Sequence, residues 1–421
     1  MIRLILIRHG RTAWNALDGP GQRFRGIIDL PLAQEGVAQA QATAERLAHL
    51  PLKAIYTSPL NRSTHTADLL AEPHGLAPQP HPGLGSMDYG DWAGQLTSDV
   101  AHHWPSIYQA WQQNPFSVQV PGGESAQELR ERAVTAVHQI LSYHDDGETI
   151  GLVSHQVVTK SLVCSLLGLP GSTFWRFGQD LCNLTCFDYD PAHGQFILTS
   201  LNDTCHLSSS LPGTVRGTSR LLLLRHGQTA WNVGAGEERF RGRTDLPLDD
   251  TGISQAGAIA SRLRNQPISA IYASPLQRTR QTIAPLAAQH SLPIQSHEGL
   301  LDIDYGHLQG LTLSEAKQTH AELEATWRTT PARARFPMGE GLVDVQARVL
   351  SLLDDMTTHH PGATVILAGH QIVNRVLVCT LLGLDMDRIW HIQQDTAGIN
   401  LFQEVEGTWQ TLTLNDTCHL V

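Results

Sequence analysis

LILIRHGRTAWN at residues 4–15 and LLLLRHGQTAWN at residues 221–232 are one stretch written twice. Each is a short apolar run that stops on a basic pair, Arg8-His9 in the first and Arg225-His226 in the second, and reads as a buried strand delivering that pair at its carboxyl end. Outward from it the echo continues in order: RFRG at Arg23 and at Arg239, AIYTSPLNR against AIYASPLQR, LVSHQVV against LAGHQIV, LNDTCHL twice. His9 and His226 lie 217 positions apart, Arg62 and Arg278 216, His155 and His370 215, so the copies differ by insertions of a residue or two. A period this long exceeds that of a solenoid and marks a duplicated domain.

The length of 421 residues suits two such domains. The expected boundaries are a first domain at 1–207, a linker at 208–219 where SSSLPGTVRGTS has little to bury, and a second domain at 220–421. A flexible linker leaves the domains free to pack on each other. Hydrophobic residues at 41% and charged residues at 16% fit a soluble globular chain, and no run reaches the roughly 20 apolar residues of a membrane span. The balance of 29 basic against 40 acidic residues, a net charge of -11, argues against nucleic acid as a partner. The apolar opening before Arg8 is too short for a secretion signal. Six cysteines form no disulfide framework, and the one close pair, Cys182 and Cys186, lacks the second pair of a zinc site. A cytoplasmic protein with reduced thiols is expected.

Within the first copy, residues 2–7, 54–56, 149–153 and 184–187 read as buried strands. Residues 35–50, 126–141 and 157–167 read as amphipathic helices. The alternation predicts an α/β class, two tandem three-layer α/β/α domains, each with a mostly parallel sheet flanked by helices.

In open α/β sheets ligands collect beyond the carboxyl ends of the strands. Two strands per copy end there in histidine: His9 and His155 in the first, His226 and His370 in the second. After the 54–56 strand comes SPLNR, where Ser58-Pro59 is expected to begin a helix carrying Arg62 to the sheet end; Arg278 is its counterpart. Two fork-shaped guanidiniums match the oxygens of a phosphoryl group, one neutral imidazole can attack phosphorus, and the other supplies a further donor. The three lysines, Lys53, Lys160 and Lys317, stand at none of these strand ends. A divalent metal on the two histidines is the competing reading, disfavoured because adjacent guanidiniums repel a cation. A lone histidine after a strand is ordinarily structural, so the weight falls on R-H-G-x-T-x-x-N combined with the later Arg and His.

LIRHGRTAWN, SPLNRSTHT and VSHQ, with their second-copy counterparts, resemble the histidine phosphatase superfamily, also called phosphoglycerate mutase-like, over nearly the whole chain. The resemblance implies metal-independent and cofactor-free hydrolysis of a small phosphorylated metabolite through a phosphohistidine. It implies His9 and His226 as nucleophiles. Arg8, Arg62 and His155 then bind phosphate in the first copy and Arg225, Arg278 and His370 in the second, with Asn15 and Asn232 as further ligands. Mutase relatives carry a longer chain between the second Arg and the second His. These compact copies, with His155-Gln156 and His370-Gln371, are more similar to the phosphatase branches, so Gln156 and Gln371 join the expected phosphate-binding set. A mutase-type phosphotransferase and a phosphoprotein phosphatase are the alternatives.

The copies depart from each other where the family has an acid in L-x-E-x-x-Y-G. The second copy offers Asp302 as proton donor to the leaving alcohol. The first offers Ser86, which cannot donate near neutral pH, so the first copy is expected to be impaired or to be a phosphoryl-binding or regulatory module. Asp88 and Asp91 are the possible substitutes, although Asp88 pairs with Asp304 and reads as structural. Arg25 and Arg241, in RFRG, are either contacts for a second anionic group of the substrate or solvated loop arginines. Trp104, Tyr108 and Trp111 stand at helical spacing where the second copy has His320, Glu324 and Trp327, so the pockets are expected to differ. NDTCHL, with His206 and His419, reads as a strand end and turn.

Overall fold

The run that opens the chain is strand β1 (Ile2–Arg8), buried at every position but one. It is followed by α1 (Gln34–Leu47), β2 (Leu52–Thr57), α2 (Asn61–Ala71), β3 (Gln79–Pro80), α3 (Thr97–His103), α4 (Pro105–Gln113), α5 (Ala126–Leu141), β4 (Thr149–Ser154), α6 (Gln156–Leu167), β5 (Leu184–Asp190) and β6 (Gln195–Asp203). The second unit repeats the series as β7 (Arg220–Arg225), α7 (Asp250–Arg262), β8 (Ile268–Ala273), α8 (Gln277–His290), β9 (Ile294–Ser296), α9 (Leu313–Thr319), α10 (Ala321–Thr329), α11 (Leu342–His359), β10 (Thr364–Gly369), α12 (Gln371–Leu382), β11 (Ile399–Val405) and β12 (Thr408–Asp416). This computed structural model describes residues 1–15, 22–208, 211–212, 217–232 and 239–420. The chain divides into Met1–Ser209 and Ser210–Val421.

In the first unit the strands lie in the order β3, β2, β4, β1, β5, β6; in the second, β9, β8, β10, β7, β11, β12. The first four of each series run parallel. The last two form an antiparallel hairpin on the end of that set. The hairpin's outer strand, β6, is absent from the expected set, which places only its end at Asn202-Asp203. Alternation along β1 sends Ile5 and Ile7 into a core with Ala40 and Leu47 of α1 and Ala67 and Leu70 of α2. Leu4 and Leu6, equally buried, face the other way, where α5 and α6 pack on each other and α6 reaches β1. A sheet flanked by helices on both faces results, as the alternation predicts.

Three expectations shift. Helix α2 begins at Asn61, not at Ser58-Pro59, because Leu60 is still extended with ψ at 140°; a proline disfavours helical geometry in the residue before it, and Ser58 is used elsewhere. Helix α1 stops at Leu47, three residues short of the expected end. Of the expected linker, Leu211 is not solvated: it is buried in the second unit's core with Leu222, Leu224 and Ile399. Pro212 also engages the fold, its carbonyl accepting from the Arg220 guanidinium at 2.7 Å. Positions 209–210 and 213–216 of that segment lie outside the described residues. No described helix is long and apolar enough to cross a membrane.

Candidate active site

Strand ends β7 and β10 carry Arg225-His226 and His370 side by side because the two strands pair in parallel register, Gly369 opposite Arg225. The imidazoles of His226 and His370 stand 5.2 Å apart at 61°, and those of His9 and His155 5.2 Å apart at 60°. His226 Nδ1 donates to the Gly227 carbonyl at 2.7 Å, and a carbonyl only accepts, so the Nδ1 atom carries the proton and Nε2 keeps its lone pair. His9 does the same with Gly10 at 2.7 Å. The loop is tied down from α8 and α2, where Thr282 accepts from Gly227 N at 2.8 Å and Thr66 from Gly10 N at 3.1 Å.

The arginines reach the same centre from both sides. Arg278 is fully buried and donates to the carbonyls of Thr244 (2.7 Å) and Gly242 (2.8 Å), while its Nε donates to His370 Nδ1 at 3.1 Å. With Nδ1 accepting, the proton of His370 sits on Nε2, which donates to Ser274 Oγ at 2.9 Å. Arg225 donates to the Gln394 carbonyl at 2.5 Å. In the first unit Arg62 donates to Ile28 and Gly26, Arg8 to Gln179, and His155 Nε2 pairs with Ser58 Oγ at 2.7 Å. There Arg8 Nε, Arg62 Nε and His155 Nδ1 are all buried with no hydrogen-bond partner among the described residues. The two orphaned guanidinium N–H groups are costly unless an anion meets them.

Burial pushes all four histidines well below the ordinary imidazole range, and the neighbouring guanidiniums, Arg62 and Arg8 in one unit and Arg278 and Arg225 in the other, push the same way. The imidazoles are therefore neutral at physiological pH, as a nucleophile requires. Burial also lowers Arg8 and Arg62, each to about 10, which leaves both protonated.

Asp302 completes the second unit. Its carboxylate lies 3.6 Å from the Arg278 guanidinium and 3.9 Å from His370 Nδ1. Burial raises its pKa, against the opposing pull of Arg278 and Arg241. The backbone here is gripped by Arg348 of α11, which donates to the carbonyls of Gly299 (2.8 Å) and Asp302 (3.3 Å) and is itself paired with Glu340. Arg132 grips Gly83, Gly85 and Ser86 in the same way, with Glu124 as its partner. Ser86 thus occupies the place of Asp302. Neither substitute carboxylate fills in: Asp88 Oδ1 accepts from Gly90 N at 3.0 Å, as Asp304 does from Gly306 N, and Asp91 is exposed on its own short turn.

In the second unit His226 and Asp302 line a cavity of about 370 Å³ with Arg241, Gln371, Glu324, Trp327, Arg375 and Trp390 among its walls. Arg241 is therefore a buried cavity residue, not a solvated loop arginine; its guanidinium donates to the Trp231 carbonyl. Arg25 donates likewise to Trp14 and is half-buried. Gln371 and Gln156 open α12 and α6 directly after the second histidines. Asn232 and Asn15 are placed less directly: each Oδ1 accepts from the backbone N and hydroxyl of Thr229 or Thr12, so the side chain braces the loop.

Several site residues escape a reading of the sequence. Ser58 and Ser274 sit in the quoted SPL segments, whose repetition was the available signal. Arg132, Arg348 and Arg375 come from helices far along the chain and have no local signature, whereas Glu324 stands in the stripe with His320 and Trp327 by which the pockets were expected to differ. The aromatic stripe divides: Trp111 is core, against Tyr89, Trp92 and Trp175, while Tyr108 and Trp104 are only half-buried.

The family model described as histidine phosphatase superfamily (branch 1) matches residues 4–204 and again 221–417. The chain is 32% identical over 207 residues, 49% of its length and 95% of the relative's, to phosphoserine phosphatase 1 of Hydrogenobacter thermophilus. It is 26% identical over 425 residues, 96% of its length and 83% of the relative's, to 2-carboxy-D-arabinitol-1-phosphatase of Triticum aestivum. Among solved structures, Bacillus stearothermophilus YhfR covers 49% of this chain and all of its own at 28% identity, with a TM-score of 0.46. Both halves of the chain belong to the histidine phosphatase superfamily, branch 1, and the enzyme is a phosphoric monoester hydrolase.

Proposed function

We propose that the second unit hydrolyses small phosphorylated metabolites through a phosphohistidine on His226, and that the first unit binds the phosphoryl group with little turnover. One observation carries this reading: the same His and Arg set stands in both units, but among the described residues only the second has a buried carboxyl, Asp302, beside it.

In the forward step His226 Nε2 attacks phosphorus, the bond from phosphorus to the ester oxygen breaks, and Asp302 gives its proton to the departing alkoxide. Arg225 and Arg278 meet the charge on the phosphoryl oxygens, and His370, its Nε2–H held by Ser274, stacks edge-on to His226 beside them. Water then attacks the phosphohistidine, Asp302 takes a proton from it, and inorganic phosphate leaves with His226 restored. No metal takes part in these steps. The two relatives named as phosphatases of phosphoserine and of 2-carboxy-D-arabinitol 1-phosphate support a small metabolite as substrate.

His226→Ala is expected to remove most turnover of a phosphomonoester, and His9→Ala only a minor share, with chelator present throughout. Acid-quenched enzyme should carry an acid-labile, base-stable phosphate on His226. Equal losses in the two variants, phosphate recovered on serine or aspartate, or activity that needs an added divalent metal each overturn the reading.

A further inference from the structure

Of the two carboxylates lining the second unit's cavity, Asp302 and Glu324, the reaction above leaves Glu324 unused. It lies on α10 with 4% of its surface exposed. Its carboxylate accepts no hydrogen bond among the described residues, and the nearest guanidinium, that of the largely exposed Arg328, is 4.0 Å away. A desolvated carboxylate in this condition costs free energy unless a cation reaches it. Its setting supplies the complement. Arg375 of α12, 7% exposed, lines the same cavity, with its guanidinium 4.9 Å from the Trp390 ring and its Nε donating to the Ile392 carbonyl at 2.8 Å. Beyond the phosphate centre, then, the cavity offers one buried negative group and, in Arg375 and Arg241, buried positive ones.

The first unit is built otherwise at the same places. The two units register through a shared anchor: Trp390 Nε1 donates to the Trp327 carbonyl and Trp175 Nε1 to that of Trp111, each at 2.9 Å. Three residues before those tryptophans stand Glu324 and Tyr108. Tyr108 packs edge-on to Phe24 and Trp92. In place of Arg375 is Lys160, whose ammonium is consumed by the carbonyls of Phe174 and Phe177. The opposite-charge pair belongs to the second unit alone.

We infer that Glu324 binds an ammonium group on the non-phosphate part of the substrate while Arg375 binds its carboxylate, so that the second unit selects O-phosphorylated amino acids. This rests on the phosphatase reading for turnover but not for binding. A hydroxyl in place of the ammonium gives Glu324 a donor without neutralising it, and a cavity of about 370 Å³ holds a molecule of this size.

The test uses two compounds that differ only in that group, O-phospho-L-serine and 3-phosphoglycerate. Calorimetric titration of the full chain carrying His226→Ala should show tighter binding of phosphoserine. Adding Glu324→Gln should weaken phosphoserine by roughly 10- to 100-fold and 3-phosphoglycerate by less than about threefold. In the chain with His226 intact, the ratio of the two kcat/KM values should fall by a similar factor on Glu324→Gln. Equal binding of the two compounds, equal weakening of both by Glu324→Gln, or no binding of either overturns the inference. Discrimination in binding with no turnover of either compound by the unaltered enzyme sinks the phosphatase reading and leaves the ammonium site standing.

Discussion

His226 lines the cavity with its imidazole kept neutral by burial, and Asp302 lines it too with its carboxyl raised by the same cause. The two shifts work together. A nucleophile pushed below the ordinary range stays unprotonated down to lower pH, and an acid pushed above its range keeps its proton to higher pH, so each widens the window in which both are ready. Turnover of an alkyl phosphate should therefore decline as pH rises through the raised pKa of Asp302. In Asp302→Asn that decline should disappear, at a cost of about 10² to 10⁴ in rate, while any dependence due to the substrate's own ionisation persists in both enzymes. The reciprocal change is Ser86→Asp in a His226→Ala background, which puts the missing acid on a backbone already gripped by Arg132. It should raise hydrolysis of an alkyl phosphate far more than that of a nitrophenyl phosphate, whose leaving group departs unaided. No gain with either, in a folded variant, would show that the first unit lacks more than its acid.

Helices α1 and α7 set the histidine loops by contact at their first turns. A β-carbon on Gly252 would lie 2.2 Å from the Gln228 carbonyl oxygen, and one on Gly36 would lie 2.1 Å from that of Arg11. Gly252→Ala must push α7 away from the loop that carries His226. Overpacking of this kind costs about 1–3 kcal/mol, or a fall of roughly 2–12 °C in the melting temperature of a unit of this size, readable by scanning calorimetry. The fall in kcat/KM should exceed that of a surface Gly→Ala elsewhere. Residues at this level were the most legible in the sequence. His9, His155, Arg62 and their counterparts could be placed because strands of apolar residues end abruptly and the sheet has one reactive edge. The beginning of α2 could not, because Ser58-Pro59 carries a helix-start signature while Ser58 is committed to His155. β6 was missed beyond its end because its buried apolar positions, Phe196, Leu198 and Leu201, are interleaved with half-buried Ile197, Thr199 and Ser200 and do not form one continuous buried run. Glu324 could be placed only as one of a helical stripe expected to make the pockets differ, and Arg348 and Arg375 could not be placed at all, since only the packing of helices brings them to the site.

At the scale of the whole chain, the net charge of -11 contrasts with the arginines gathered at each site. Anions are expected to collect at those arginines. Both units hold that gathering, and in the first the Nε–H groups of Arg8 and Arg62 lie buried without a partner among the described residues while Ser86 stands where the acid would be. The consequence is one of stoichiometry. Each chain should take up two equivalents of inorganic phosphate, yet product inhibition should follow the occupancy of one. Equilibrium dialysis is expected to count close to two, and Arg62→Ala to reduce that count to one with the inhibition constant unchanged; a count of one in the unaltered chain contradicts it. On the proposed division of labour, the first half of the molecule should fill with what the second half releases as product accumulates, which would make it a saturable reservoir of the enzyme's own product on the same polypeptide.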